Sequence, residues 1–237
     1  MTSIWSLTSA PPEDVPNHVA KLQEGLIPYL TQFLTSRHPH RGGVMCPFMP
    51  KALENDDIFV SFFDANMSVS HLQESLKACI DFFKQRESLG HGAIVIMFAP
   101  SADLVKLHQL HVAGKLLCME KDLMLGLLYR DSSAPSLHSH DYFPLRTPTP
   151  TMVIRDLTSQ DLQFLTPDHY GTKEKIRFLN SYIKKFSGTE GKRSLMKQVT
   201  GAKTLRLRYR AASLTRNLAA FLFGSAVLVF MFKALWG

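Results

Sequence analysis

Residues 93–99, AIVIMFA, constrain the fold more than any other stretch. An unbroken apolar run of this length, rich in β-branched residues, reads as a strand buried on both faces and therefore central in its sheet. Pro100 and Ser101 end it, and Gly90-His91-Gly92 separates it from what precedes. Upstream, Val69, Leu72, Leu76, Ile80 and Phe83 recur at helical spacing behind a capping Ser68, so a helix is expected to about Leu89. Before that, DIFVSFF (57–63) reads as another core strand. Strand, helix and strand in this order predict an α/β or α+β sandwich, a small mixed sheet flanked by helices.

The remaining segments fit that frame. Val15, Val19, Leu22, Leu26, Tyr29, Leu30 and Phe33 predict an amphipathic helix over 12–36, bent or split at Pro28, behind a loose leader at 1–11. A helix is expected over 101–119. Residues 123–129 suit a strand or a helix end, and 151–157 suit an edge strand. Thr158 caps a short helix through Leu165, and 167–186 carries a further one with Ile176, Leu179, Tyr182, Ile183 and Phe186 facing inward. The globular domain is thus expected to occupy 12–187.

Charge separates the end of the chain from the rest. The net charge is +7, yet up to Glu190 there are 18 Lys and Arg against 20 Asp and Glu. All the excess lies in the tail, which argues for a membrane surface and against nucleic acid. Residues 191–216 carry eight Lys or Arg and no acid, a linker or basic helix. From 217 to 237 the sequence is apolar around the whole helix, and its length is about the ~20 residues that a span requires. A C-terminal transmembrane anchor is expected, with the folded domain cytosolic by the positive-inside rule and the endoplasmic reticulum preferred over the mitochondrial outer membrane. A docked or interfacial helix is the alternative. Three Cys without CxxC spacing form neither a disulfide framework nor a structural zinc site.

Chemistry concentrates in 37–53, RHPHRGGVMCPFMPKAL. Gly and Pro exclude regular structure there, while Val44, Met45, Phe48 and Met49 are too apolar for a free loop, so an ordered loop pinned to the core is expected. Cys46 precedes a proline, which removes one amide donor near the sulfur. Gly42 and Gly43 permit close approach of a planar ligand, and Arg37, Arg41 and Lys51 favour a thiolate. Such a setting suits haem-thiolate ligation with Cys46 as the metal ligand, a nucleophilic thiol, or a buried structural Cys. His108 and His111 stand at i, i+3 on a helix and suit packing or a metal. His138 and His140 lie with Asp141 in the Pro- and Ser-rich loop 130–150, where they suit acid–base groups of a site or plain polar loop positions. No dinucleotide, phosphate-loop, GxSxG, HExxH or EF-hand signature occurs.

Two of these segments resemble an uncharacterised domain family of fungi and bacteria. The motif positions are Gly42, Gly43, Cys46, Pro47 and Phe48, then Arg146, Pro148, Pro150, Ile154, Arg155, Asp161, Phe164 and Leu165. The resemblance covers roughly 15–170. Such domains occur in secondary-metabolite gene clusters, which implies a tailoring or accessory role. The Cys-Pro-Phe segment is also distantly similar to a Phe-Pro-Cys loop in a family with haem-dependent N-hydroxylases. Taken with the chemistry around Cys46 and with the anchor, which lies outside the region of resemblance, these resemblances lead to the expectation of a membrane-anchored haem-thiolate oxidoreductase acting on a small apolar metabolite. Cys46 would hold the iron, Arg41, Arg146 and Arg155 would contact propionates or substrate, and His138 or His140 would serve as catalytic pocket groups. The alternative is a non-enzymatic scaffold for other pathway enzymes, with Cys46 structural and 130–150 as the contact surface. Either way, 37–53 and 146–165 are expected to wall one site.

Overall fold

The computed structural model describes the side chains of residues 2–86, 90–188 and 193–215, with the last helix continuing beyond them as backbone. The anchor expected at 217–237 therefore lies outside the described residues, and among those described no helix is long and apolar enough to cross a membrane. The chain divides into two compact units, Met1–Thr158 and Ser159–Gly237.

The first unit is built on one mixed five-stranded sheet. Its strands are β1 (Ile4–Ser6), β2 (Ile58–Phe62), β3 (Ala93–Met97), β4 (Leu123–Leu128) and β5 (Thr151–Asp156), in the spatial order β1-β2-β3-β5-β4. β3 is central as its composition demands, parallel to β2 and antiparallel to β5, with Val95 opposite Val60 on one side and Val153 on the other. Strand alternation sorts the side chains onto two faces. Ile94, Ile96, Ile154 and Leu125 share a core with α3 (Val69–Gln85) and α4 (Leu104–Glu120). Ile58, Val60, Val95 and Met97 share another with α1 (His18–Pro28) and α2 (Met49–Glu54). Each fully buried Ile or Leu in these layers contributes roughly 1.5–3 kcal/mol. The mixed α/β architecture is as expected from the sequence.

Three expectations need correction. Residues 151–157 are not an edge strand, because β5 lies between β3 and β4, pairing with both, and β4 takes the edge. Residues 1–11 are not wholly a loose leader, because β1 pairs with β2 and Trp5 is buried, its Nε1 donating to Gln23 Oε1 at 2.9 Å. The ambiguous 123–129 run is a strand. Elsewhere, Ser68 accepts from the His71 amide and starts α3 as expected, while α4, expected from 101, begins at Leu104 behind the capping Asp103.

The second unit opens with a 3-10 turn (Ser159–Leu165), followed by α5 (Thr172–Phe186) and α6 (Arg193–Trp236). Phe178, Leu179 and Tyr182 on α5 and Leu195, Val199 and Ala202 on α6 are buried, and the Tyr182 hydroxyl donates to the Ser159 carbonyl at 2.6 Å. The segment left open as linker or basic helix is helical from Arg193.

Candidate functional site

The loop after α1 owes its form to Pro28. Its missing amide interrupts the helical ladder, and the chain widens into a π-turn over Tyr29–Phe33 before leaving the helix. It then folds back on itself. The Cys46 amide donates to Leu34 O (2.8 Å), the Met45 amide to Ser36 O (2.8 Å) and the His38 amide to Gly43 O (3.0 Å), with a bridge between Arg37 and Val44. Gly43 turns the chain at φ 89°, a left-handed conformation that other residues adopt at a cost. Arg41 closes the loop from within, donating through Nη1 to Gly42 O (3.0 Å) and through Nη2 to Val44 O (2.6 Å) and Met45 O (3.0 Å). Beyond it the Met49 amide returns to Cys46 O, and Met49 and Ala52 of α2 are buried, so the loop is pinned to the core as its apolar residues require.

The long loop 130–150 is held by hydrogen bonds within itself and to Phe98. The Ser136 amide donates to Tyr142 O (2.6 Å), Arg146 Nε to Ser132 O (3.1 Å), and the Thr149 hydroxyl to Phe98 O (2.6 Å). The Arg146 guanidinium lies over the Phe143 ring at 4.3 Å.

The two loops meet. Tyr29 donates its hydroxyl proton to Pro144 O (2.8 Å), Tyr142 donates to Met45 Sδ (3.6 Å), and His38 Nε2 lies 3.3 Å from Ser136 Oγ. The His38 ring makes edge contacts with His138 (5.5 Å), Tyr142 (5.6 Å) and His40 (6.1 Å), and His40 also faces Tyr142 (5.5 Å). His38 is 4 % exposed and sits at the junction. Its Nδ1 accepts the His40 amide at 3.0 Å, which assigns the neutral ring with its proton on Nε2, directed at Ser136. Burial holds its pKa below the usual imidazole value, with Arg41, His138 and His40 acting in the same direction. His38 is thus a strut between loops, its two nitrogens already committed. Burial and the nearby Cys46 and Tyr142 push the Tyr29 phenol upward, so it stays protonated as the Pro144 contact requires.

The residues singled out from sequence fall as follows. Cys46 is half-buried and packs against the α1/α2-side core. Cys79 and Cys118 are fully buried, and burial raises both thiols, Cys79 to about 12. His138 is exposed beside His38, and His140 is exposed in the same loop. Arg155 is on β5, where Nη1 donates to Asp156 O (2.9 Å). Arg146 precedes β5 and Arg155 lies near its far end, with Thr151 and Arg155 about 13 Å apart along the strand. The side-chain contacts from 37–53 to the second loop fall at Ser136, His138 and Tyr142, before the 146–165 segment expected to wall the site. His111 is buried, its Nε2 3.0 Å from Leu125 O, while His108 contacts the Tyr129 ring, so the pair packs α4 and does not converge. Among the described residues no group of three His, Cys, Asp or Glu is arranged to hold a metal ion.

These placements do not fit haem. The fork of Arg41, one of the two cations nearest the thiol in sequence, is spent on three carbonyls of its own loop; Lys51, the other, pairs with Glu54, and Arg146 Nε and Arg155 Nη1 donate to the carbonyls of Ser132 and Asp156.

A buried polar cluster escaped the sequence reading. Asp57, just before β2, pairs with Arg86 at the end of α3, and the guanidinium lies between the faces of Phe59 (4.9 Å) and Phe83 (4.5 Å). Gly92 leaves room for this pair. A Cβ there would overlap Arg86 Nη2 and Asp57 Oδ2 and lie 2.7 Å from Asp57 Cγ. The Gly was read only as a helix breaker. An acid just before one strand and a glycine just before its parallel neighbour are the signals that point to it.

A mixed sheet with helices on both faces defines an α/β domain. The chain belongs to the domain family of unknown function DUF6875, whose family pattern matches residues 23–197. No curated protein and no solved structure matches the chain.

Proposed function

We propose that this protein is a membrane-held accessory protein of secondary metabolism whose two-loop surface, presenting His40, His138 and Tyr142, binds a small apolar metabolite or a pathway enzyme, with Cys46 serving the fold. The observation that carries this reading is the use of Arg41. A cation free to stabilise a thiolate or a bound carboxylate is replaced by one that holds the loop's own carbonyls. Main-chain bonds on both sides of Cys46 fix it against the core, which suits a packing role. The exposed rings of His40 and His138 and the half-buried ring of Tyr142 converge from two loops around His38, the arrangement of a recognition surface. Membrane attachment rests on the composition of 191–237, basic and then apolar.

The test is spectroscopic. Full-length protein, expressed with haem supplied and purified in neutral detergent, is expected to show no thiolate-type Soret band when reduced under carbon monoxide. A band that disappears in Cys46→Ser would overturn the accessory reading in favour of a haem-thiolate oxidoreductase.

A second reading, a cofactor-free thiol enzyme, is favoured by the partial exposure of Cys46 where Cys79 and Cys118 are sealed. Iodoacetamide labelling separates it: rapid, selective alkylation of Cys46 in the native protein supports this reading, and labelling only on unfolding supports the structural role.

A further inference from the structure

We propose that the exposed side of α6 between Met196 and Leu214 is a docking surface for an anionic lipid bilayer, distinct from any spanning segment. This deepens the membrane reading and rests on it only for the presence of a bilayer. Met196, Leu207 and Leu214 are large apolar side chains left 55 %, 60 % and 70 % exposed. At 3.6 residues per turn they fall on one line of the helix, with Lys203 and Arg210 between them, all five within about 60° of arc. The line runs beside the face that Leu195, Val199 and Ala202 bury within the second unit, so it is not needed for that packing. From Met196 to Leu214 it extends about 27 Å. Scattered exposed Leu residues need no explanation, but a straight row of three flanked by cations does.

Charge decides the occupant. Residues 193–215 carry Arg193, Lys197, Lys203, Arg206, Arg208 and Arg210 and no acid, and all but Arg206 are exposed. Arg206 is turned inward to Asn180 Oδ1 at 3.1 Å. A second copy of the helix would set cation against cation along the row. A surface of anionic headgroups neutralises the cations and accepts the three apolar side chains into the headgroup–acyl boundary, while Lys203 and Arg210 extend their stems between them. The row can lie on the surface whether the run after Arg216 stays in the plane or turns into the bilayer.

The experiment is flotation of the full chain with vesicles of phosphatidylcholine alone and of phosphatidylcholine with phosphatidylserine. Binding to neutral vesicles reports the anchor. The preference for anionic over neutral vesicles reports the α6 row. Wild type is expected to prefer anionic vesicles, and high salt should erase that preference. Lys203→Gln/Arg210→Gln should reduce it about 25-fold, at about fivefold per basic residue near the surface. Met196→Ser/Leu207→Ser should weaken anionic binding while leaving neutral binding unchanged. All four positions are exposed, so the fold is not at issue. Equal binding to both vesicles, or a preference indifferent to the Met196/Leu207 variant, overturns the proposal and points instead to an acidic protein partner. Failure to bind neutral vesicles, with the anionic preference intact, would sink the anchor and leave the surface standing.

Discussion

Replacing Gly92 by Ala should unfold the first unit at markedly lower denaturant. The substitution adds one carbon, which on an ordinary surface changes stability by a few tenths of a kcal/mol. At this position the carbon would occupy the volume of Arg86 Nη2 and Asp57 Oδ2, and the Asp57 carboxyl carbon is 2.7 Å away. The Arg86 guanidinium is held between Phe59 and Phe83, and the side chains of the pair are only 14 % and 11 % exposed. The pair must therefore separate inside the protein, which costs about 3–5 kcal/mol when a buried ion pair is broken. Lost stacking on the two rings adds roughly 0.5–2 kcal/mol. The expected total is about 3.5–7 kcal/mol, read from the urea midpoint at constant slope, with buried Trp5 on neighbouring β1 as the fluorescent probe. The control is the same substitution in an Asp57→Ala/Arg86→Leu background, where the conflict is gone and the cost should fall below about 1 kcal/mol. An equal cost in both backgrounds, or none in the wild type, refutes the reasoning.

Other outcomes follow from the same geometry. Stability should depend on pH through His38. Its folded pKa lies below the 6.5 of the unfolded chain, so above that value neither state is protonated and nothing is lost. As pH falls through 6.5 the unfolded state takes up a proton first and stability declines, levelling only below the folded pKa. His38→Asn, which retains an acceptor near the Nδ1 position, should flatten this slope in an acid-titrated urea series. Arg41→Met should cost about 1–3 kcal/mol through lost charged hydrogen bonds. Hydrogen exchange should then quicken at Val44, Met45 and Cys46, and Arg41→Lys should not restore protection, because an ammonium cannot span three carbonyls with a planar fork. Gly114→Ala on α4 would meet the methyls of Leu76 and Leu125, the latter at 3.0 Å. Overpacking of about 1–3 kcal/mol should there outweigh the ~1 kcal/mol gained in helix propensity, visible as a lower Tm.

Much of the fold was legible because apolar pattern dominates where burial is complete. β3 announced its central place by having no polar residue to turn outward, and Ser68 marked the start of α3 by its capping hydroxyl. β1 was not legible, since three residues carry no period and only Trp5 hints at burial. β5 misled because it follows a Pro-rich loop and carries Arg155 and Asp156 at its exit, features of an edge, whereas its place between β3 and β4 is set by the crossover through α4. For the site, Gly42-Gly43 and Cys46-Pro47 marked an ordered loop correctly. What covers that loop depends on where 130–150 returns, and no local pattern encodes the meeting of His38 with Ser136 or of Tyr29 with Pro144. Cys46 drew attention by its chemistry, while Tyr29, His38 and Tyr142, which join the loops, look ordinary in sequence.

Native mass spectrometry tests the central claim, that loops 36–46 and 134–144 form one recognition surface. The full chain, purified in neutral detergent after exposure to a cell's own metabolite extract, is expected to retain a small-molecule adduct. His40→Ala on the first loop and His138→Ala on the second should each abolish it, while Arg146→Ala, which lies over Phe143 outside the ring cluster, should retain it. An adduct that survives both histidine substitutions, or one lost only with Cys46→Ser, would contradict the account.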